Sequence, residues 1–97
     1  MNTKIITILE TPIHEAKISA RLINSSLIAG AQTLFELLRL YYYRENILMS
    51  AIGGKSANEI EDIFLQLDID HNAFPQIEDY FIDKIDISDL TQNINLN

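Results

Sequence analysis

The stretch Gly53-Gly54-Lys55-Ser56 sets two glycines beside a lysine and a hydroxyl, a combination that can offer backbone amides and a positive charge to phosphate. The first chemistry to test is nucleotide binding. A phosphate-binding P-loop needs a glycine five positions before the glycine that precedes lysine, with a hydrophobic strand leading in. Here that position is Met49, inside a segment predicted to be helical, so the P-loop reading fails on both counts. A different template fits better: a helix, a glycine-containing hairpin, and a second helix opening at Ser56. Such a helix-hairpin-helix exposes unpaired amides where the backbone dipole also favours anions. Gly53 and Gly54 remove side chains that hold a phosphate away, and Lys55 adds a mobile charge. The plain structural reading uses the same residues as a turn between packed helices, with Ser56 and Glu59 as a capping box.

Other chemistry is sparsely represented. The chain has no cysteine, which excludes disulfides, thiolate metal sites and cysteine nucleophiles. His14 and His71 stand alone, without a carboxylate and histidine set at ligand spacing, so neither a metal nor a cofactor is expected. The acids form no recognisable acid-base constellation, and no enzyme is expected. Tyr41-Tyr42-Tyr43 offers ring faces for base stacking; the competing reading packs one or two rings on the core and leaves the third exposed. Arg21 reads on its own as a surface ion-pair partner.

These residues must be positioned by short helices. Residues 3–9, TKIITIL, are β-branched and predict an extended segment or edge strand, and Pro12 bars the helical conformation at Thr11. A helix is predicted over 19–29 with Gly30 as its left-handed terminator. Thr33-Leu34-Phe35-Glu36 is a capping box opening a second helix to about Leu40. A third is expected near 44–50, and a fourth opens at Ser56, with Ile60, Ile63, Phe64 and Leu67 at helical spacing. The fold class is therefore all-α: four to five short helices with a helix-hairpin-helix, an extended N-terminal arm over 1–15, a helical domain over 16–70, and an acidic extension over 71–97. That extension holds a possible helix over 76–84, and about eight disordered residues are expected to follow it.

At 97 residues the chain makes one domain at most, and 47% hydrophobic residues suffice for an ordinary core. No run approaches the ~18 apolar residues of a membrane span, and the opening run MNTKIITILE lacks the length and cleavage region of a secretory signal, so a cytoplasmic protein without membrane contact is expected. The net charge of −7 argues against nucleic acid until its distribution is read. Residues 1–67 hold seven acids and six bases, whereas 68–97 hold seven acids and one base. The body is near neutral and the acidity belongs to the end. Residues 68–90 suit either of two roles: an internal polyanion that competes with DNA for Arg21 and Lys55, or a helix that covers apolar surface.

Four pieces in order resemble a known family. Pro12-Ile13 forms a lead-in, and Ile18-Ser19-Ala20-Arg21-Leu22-Ile23-Asn24 an Arg-x-x-Asn helix. Ala29-Gly30-Ala31-Gln32-Thr33-Leu34-Phe35-Glu36-Leu37-Leu38 follows, then Ile52-Gly53-Gly54-Lys55-Ser56-Ala57-Asn58-Glu59-Ile60. Together they resemble the C-terminal domain of the bacterial RNA polymerase alpha subunit, over roughly sixty residues. The resemblance implies a helical domain that binds the minor groove of A/T-rich double-stranded DNA and touches RNA polymerase, sigma factor or transcription activators. It maps the DNA-binding residues onto Arg21, Asn24, Ser25, Gly53, Lys55, Ser56 and Glu59. Gly54 stands where the family carries a basic residue, and Ser25 where it often has cysteine. Methionine 11 residues before Pro12 and the acidic end suggest a free-standing relative rather than a fragment of the subunit. The alternative function is a protein-interaction module of the same fold that binds polymerase, sigma factor or an activator without appreciable DNA binding.

Overall fold

The computed structural model describes residues 3–82, and every regular element among them is helical. Thr3–Leu9 forms α1 rather than the extended arm its β-branched run predicts. Ile6 and Leu9, three residues apart, share a buried face, and Ile5 and Ile8 pack against the same core. A β-branched residue costs a helix only about 0.5 kcal/mol, while full burial of a large aliphatic side chain contributes about 1.5–3 kcal/mol. Burial wins. The threonines also adapt locally, the Thr7 and Thr11 hydroxyls donating to the carbonyls of Thr3 and Thr7 at 3.0 and 3.4 Å.

Beyond Pro12 a single tight turn, Ile13–Glu15, buries Ile13. The connection is pinned on both sides: the Ile13 amide donates to the Gln32 carbonyl at 2.9 Å, and the Leu34 amide to the Thr11 carbonyl at 3.0 Å. The next helices are α2 (Ala20–Ile28), α3 (Leu34–Tyr42), α4 (Asn46–Met49) and α5 (Gly54–Gln66). Ser19 caps α2 by accepting from the Leu22 amide at 3.1 Å. Thr33 caps α3 by accepting from the Glu36 amide at 3.2 Å. Glu36 reaches back to the Gln32 amide at 2.6 Å, one residue further than the reciprocal box requires.

α2, α3 and α5 all end in the same way, with a left-handed residue and paired reverse bonds. Gly30 (φ 89), Arg44 (φ 51) and Asp68 (φ 55) occupy that position. The residues after them, Ala31, Glu45 and Ile69, return their amides to the carbonyls of Ser26, Leu40 and Phe64 at 2.9 Å each. Only the first turn carries the glycine that sequence reading looks for.

The core runs through all the helices, with Leu9, Ile13, Leu22, Leu37, Leu38, Leu48, Ile60 and Phe64 buried. It continues past Asp70. After a turn at His71–Ala73, a sixth helix, α6, occupies residues 74–82, with Pro75 tolerated in its first turn. Phe74, Ile77 and Phe81 join the same core. Phe81 stacks on Phe35 with ring centroids 4.2 Å apart, and Phe74 on Tyr42 at 4.8 Å. Glu78 is buried, accepting from Arg39 Nε at 2.6 Å and from the Tyr43 hydroxyl. Within the described residues, therefore, the acidic extension covers apolar surface. The end of the helix expected over 76–84 and the rest of the extension lie outside them. Of the tyrosine run, Tyr41 is buried, Tyr42 half-buried and Tyr43 exposed.

A second polar cluster ties α3 to α5. The Tyr41 hydroxyl donates to Glu61 Oε2 at 2.6 Å, His71 Nε2 lies 3.1 Å from Glu61 Oε1, and Arg44 Nη2 stands 3.9 Å from the carboxylate. The Tyr41 hydrogen bond, helped by His71 and Arg44, holds the Glu61 carboxyl below the usual range. Burial, then the Glu61 bond, pushes Tyr41 up. Arg44 lies over the Tyr41 ring, 4.1 Å from its centroid.

Candidate nucleic-acid interface

α2 packs against α4 and α5, and this packing brings the beginning of α2 to the beginning of α5. Arg21 Nε donates to Ser56 Oγ at 3.0 Å across 35 residues of sequence. Ser56 is almost completely buried, so its hydroxyl is a fixed anchor and not a surface contact. The guanidinium beyond Nε stays outside; the Arg21 side chain is 54% exposed. Three of the seven sequence-predicted residues, Arg21, Ser56 and Glu59, meet in this one network.

Glu59 does something the sequence pattern did not suggest. The capping box expected at Ser56 and Glu59 does not form, because α5 begins two residues earlier, with Gly53 as its N-cap and no side-chain cap bond. Ser56 is already inside the helix and turned toward α2. Glu59 reaches across to α2 instead: its Oε2 accepts from the Ser19 amide at 2.7 Å, and its Oε1 from the Ser19 hydroxyl at 2.6 Å. Arg21 Nη2 lies 3.8 Å from the same Oε1. The carboxylate thus satisfies an amide at the positive end of α2 and lies beside the arginine two residues later. Ser19 is the member that sequence reasoning passed over. Its residue type at a helix start was the available signal; its partner forty positions away was not.

Ser25 is buried and donates from Oγ to the Ala51 carbonyl at 3.0 Å. It fastens α2 to the segment entering the Gly53-Gly54 turn and presents nothing to solvent. Asn24, Gly53 and Lys55 are exposed. Lys55 makes no ion pair among the described residues. At Gly53 and Gly54 an added Cβ would meet no atom within 4 Å, so the backbone there is open to an approaching surface.

The arrangement has two layers. Ser19, Ser25, Ser56 and Glu59 form an inner polar frame that joins α2 to α5 and to the turn before it. Arg21, Asn24 and Lys55 form an outer layer of donors carried by that frame. Such a surface can donate to phosphate or to acceptors on a groove floor. A separate cleft of about 420 Å³, lined by Ile8, Thr11, Lys17, Ile18, Ile63 and Leu67 among others, includes none of these residues. No protein-family model, no curated protein and no solved structure matches the chain.

Proposed function

We propose that the chain is a non-enzymatic DNA-binding domain working in transcription, gripping A/T-rich duplex in the manner of the polymerase alpha C-terminal domain it resembles. Arg21 enters the narrow minor groove, where A/T-rich sequence concentrates negative potential. Asn24 reaches the groove floor or a sugar, and Lys55 with the amides of the Gly53-Gly54 turn holds phosphates. In this reading α4, the turn and α5 are a helix-hairpin-helix, and Ser25, Ser56 and Glu59 position the contacting groups rather than touching DNA themselves. The observation that carries the reading is the bond from Arg21 to Ser56, which sets an exposed guanidinium beside the first turn of α5.

A second reading, the protein-interaction module, is favoured by charge. Glu59 offsets part of Arg21, Gly54 adds no base, and the whole chain is at −7. Its partners would be polymerase, sigma factor or an activator. Titration onto an A/T-rich duplex at two salt concentrations separates the readings. A DNA binder loses affinity steeply as salt rises and again in Arg21→Ala. Absence of binding, or binding indifferent to the substitution, favours the module.

A further inference from the structure

The core stops short on one side of the molecule. Ile8 on α1, Ile18 before α2, and Ile63 and Leu67 on α5 are only half-buried, and together they wall the cleft of about 420 Å³. Its rim holds two exposed charges of opposite sign, Glu15 and Lys17, and neither makes an ion pair among the described residues. α6 delivers the rest of the chain to this place. It runs antiparallel to α3: Phe74 stacks on Tyr42 at the end of α3, Glu78 bonds Arg39 in the middle, and Phe81 stacks on Phe35 at the start. Residue 82 therefore lies at the same end of α3 as Leu34, which lines the cleft, and as Thr11, which lines it too and accepts from the Leu34 amide.

Fifteen residues follow α6. Fully extended they reach up to about 50 Å, so the first few suffice. Their sequence complements the cleft. In Lys84-Ile85-Asp86-Ile87-Ser88-Asp89-Leu90 the isoleucines alternate with polar residues, the pattern that sets both on one face of an extended chain. Lys84 and Asp86 flank Ile85 with one base and one acid, as Glu15 and Lys17 stand on the rim.

We propose that residues 84–90 close this cleft, with Ile85 and Ile87 against its apolar walls, Lys84 toward Glu15 and Asp86 toward Lys17. Tethering by α6 makes the contact intramolecular, with an effective concentration on the order of millimolar that a free ligand must overcome. The cleft includes none of Arg21, Asn24 or Lys55, so the acidic end is held away from the residues that would grip DNA. The inference holds whether or not those residues bind DNA.

The test uses the full-length chain, whose lack of cysteine permits a single nitroxide label at Ser88→Cys. In nuclear magnetic resonance spectra the methyl signals of Ile8, Ile18 and Ile63 should lose most of their intensity while the label is paramagnetic and regain it on reduction. Ile47 on α4, outside the cleft, should keep far more of its intensity. Ile85→Ser and Ile87→Ser together should restore the cleft signals, with the Ile6 and Ile47 shifts unchanged as a check on the fold. Equal broadening of every isoleucine, or broadening that survives the serine replacements, overturns the proposal. Mixing labelled chain with isotope-enriched chain that carries no label identifies the source: cleft broadening in the mixture assigns the cleft to a second copy and also overturns it.

Discussion

Replacing Glu59 by glutamine tests the frame beneath the proposed interface. Both carboxylate oxygens are in use, one accepting from the Ser19 amide at 2.7 Å and the other from its hydroxyl at 2.6 Å. Glutamine keeps one acceptor and sets an NH₂ against the other donor. Hydrogen bonds to charged acceptors contribute about 1.5–3 kcal/mol, and loss of a helix N-cap interaction costs about 0.5–2 kcal/mol. The Glu59 side chain is 24% exposed, and water compensates part of the loss, so the lower halves of these ranges apply. We expect Glu59→Gln to cost about 1–2 kcal/mol and Glu59→Ala about 2–3 kcal/mol. For a domain of this size, 1 kcal/mol corresponds to about 4–8 °C in Tm. The Arg21 pair adds less than about 1 kcal/mol, since the arginine is half in solvent. Urea unfolding followed by circular dichroism, run as a double-mutant cycle, assigns the partner. Coupling should appear between Glu59 and Ser19. A Glu59→Gln change below about 0.3 kcal/mol, or coupling to Ser56 in place of Ser19, would refute the cross-helix cap and restore the local capping box.

Two further predictions concern charge. Gly54→Lys replaces the missing base at a position where an added Cβ meets nothing within 4 Å; it should raise affinity for A/T-rich duplex and steepen the log-log salt slope by about one, and unchanged slope would count against phosphate contact at this turn. Glu61 titrates below its usual value in the folded chain, so its contribution to stability is complete above the unfolded pKa and lost as pH falls through the folded one. Stability measured by urea unfolding should therefore fall on acidification below about pH 4.5, less steeply in Glu61→Gln, and by less and over a narrower pH range in Tyr41→Phe, which removes the hydrogen bond that lowers the Glu61 pKa most. An identical pH profile in all three proteins would contradict that assignment.

What could be read from sequence was what neighbours decide. α2 with Gly30 at its end and α3 with Thr33 at its start follow from residues within one turn of each boundary, and both stand where expected. Three features escaped, the first two because distant residues decide them. α1 looked extended because propensity favours strands for Ile and Thr, and only the burial of Ile6 and Leu9 reverses that preference. Ser56 and Glu59 have capping-box spacing, yet α2 lies close enough to take both side chains away from their own helix. The left-handed turns at Arg44 and Asp68 were invisible because they lack glycine. Of the proposed site, Lys55 was marked by its type beside two glycines, whereas Arg21 and Asn24 entered only through the resemblance; that Ser25, Ser56 and Glu59 join α2 to α5 and to the turn before it required the packing.

The seating of α6 bears on how the chain is made. Phe35 and Tyr42 on α3 are covered by Phe81 and Phe74, residues synthesised about 30–45 positions later. A nascent chain that has emerged only as far as Asp70 carries every residue of the proposed DNA grip but leaves the aromatic side of α3 bare. Such a shortened chain should expose the Phe35 and Tyr42 rings that Phe81 and Phe74 cover, the kind of apolar surface that drives self-association.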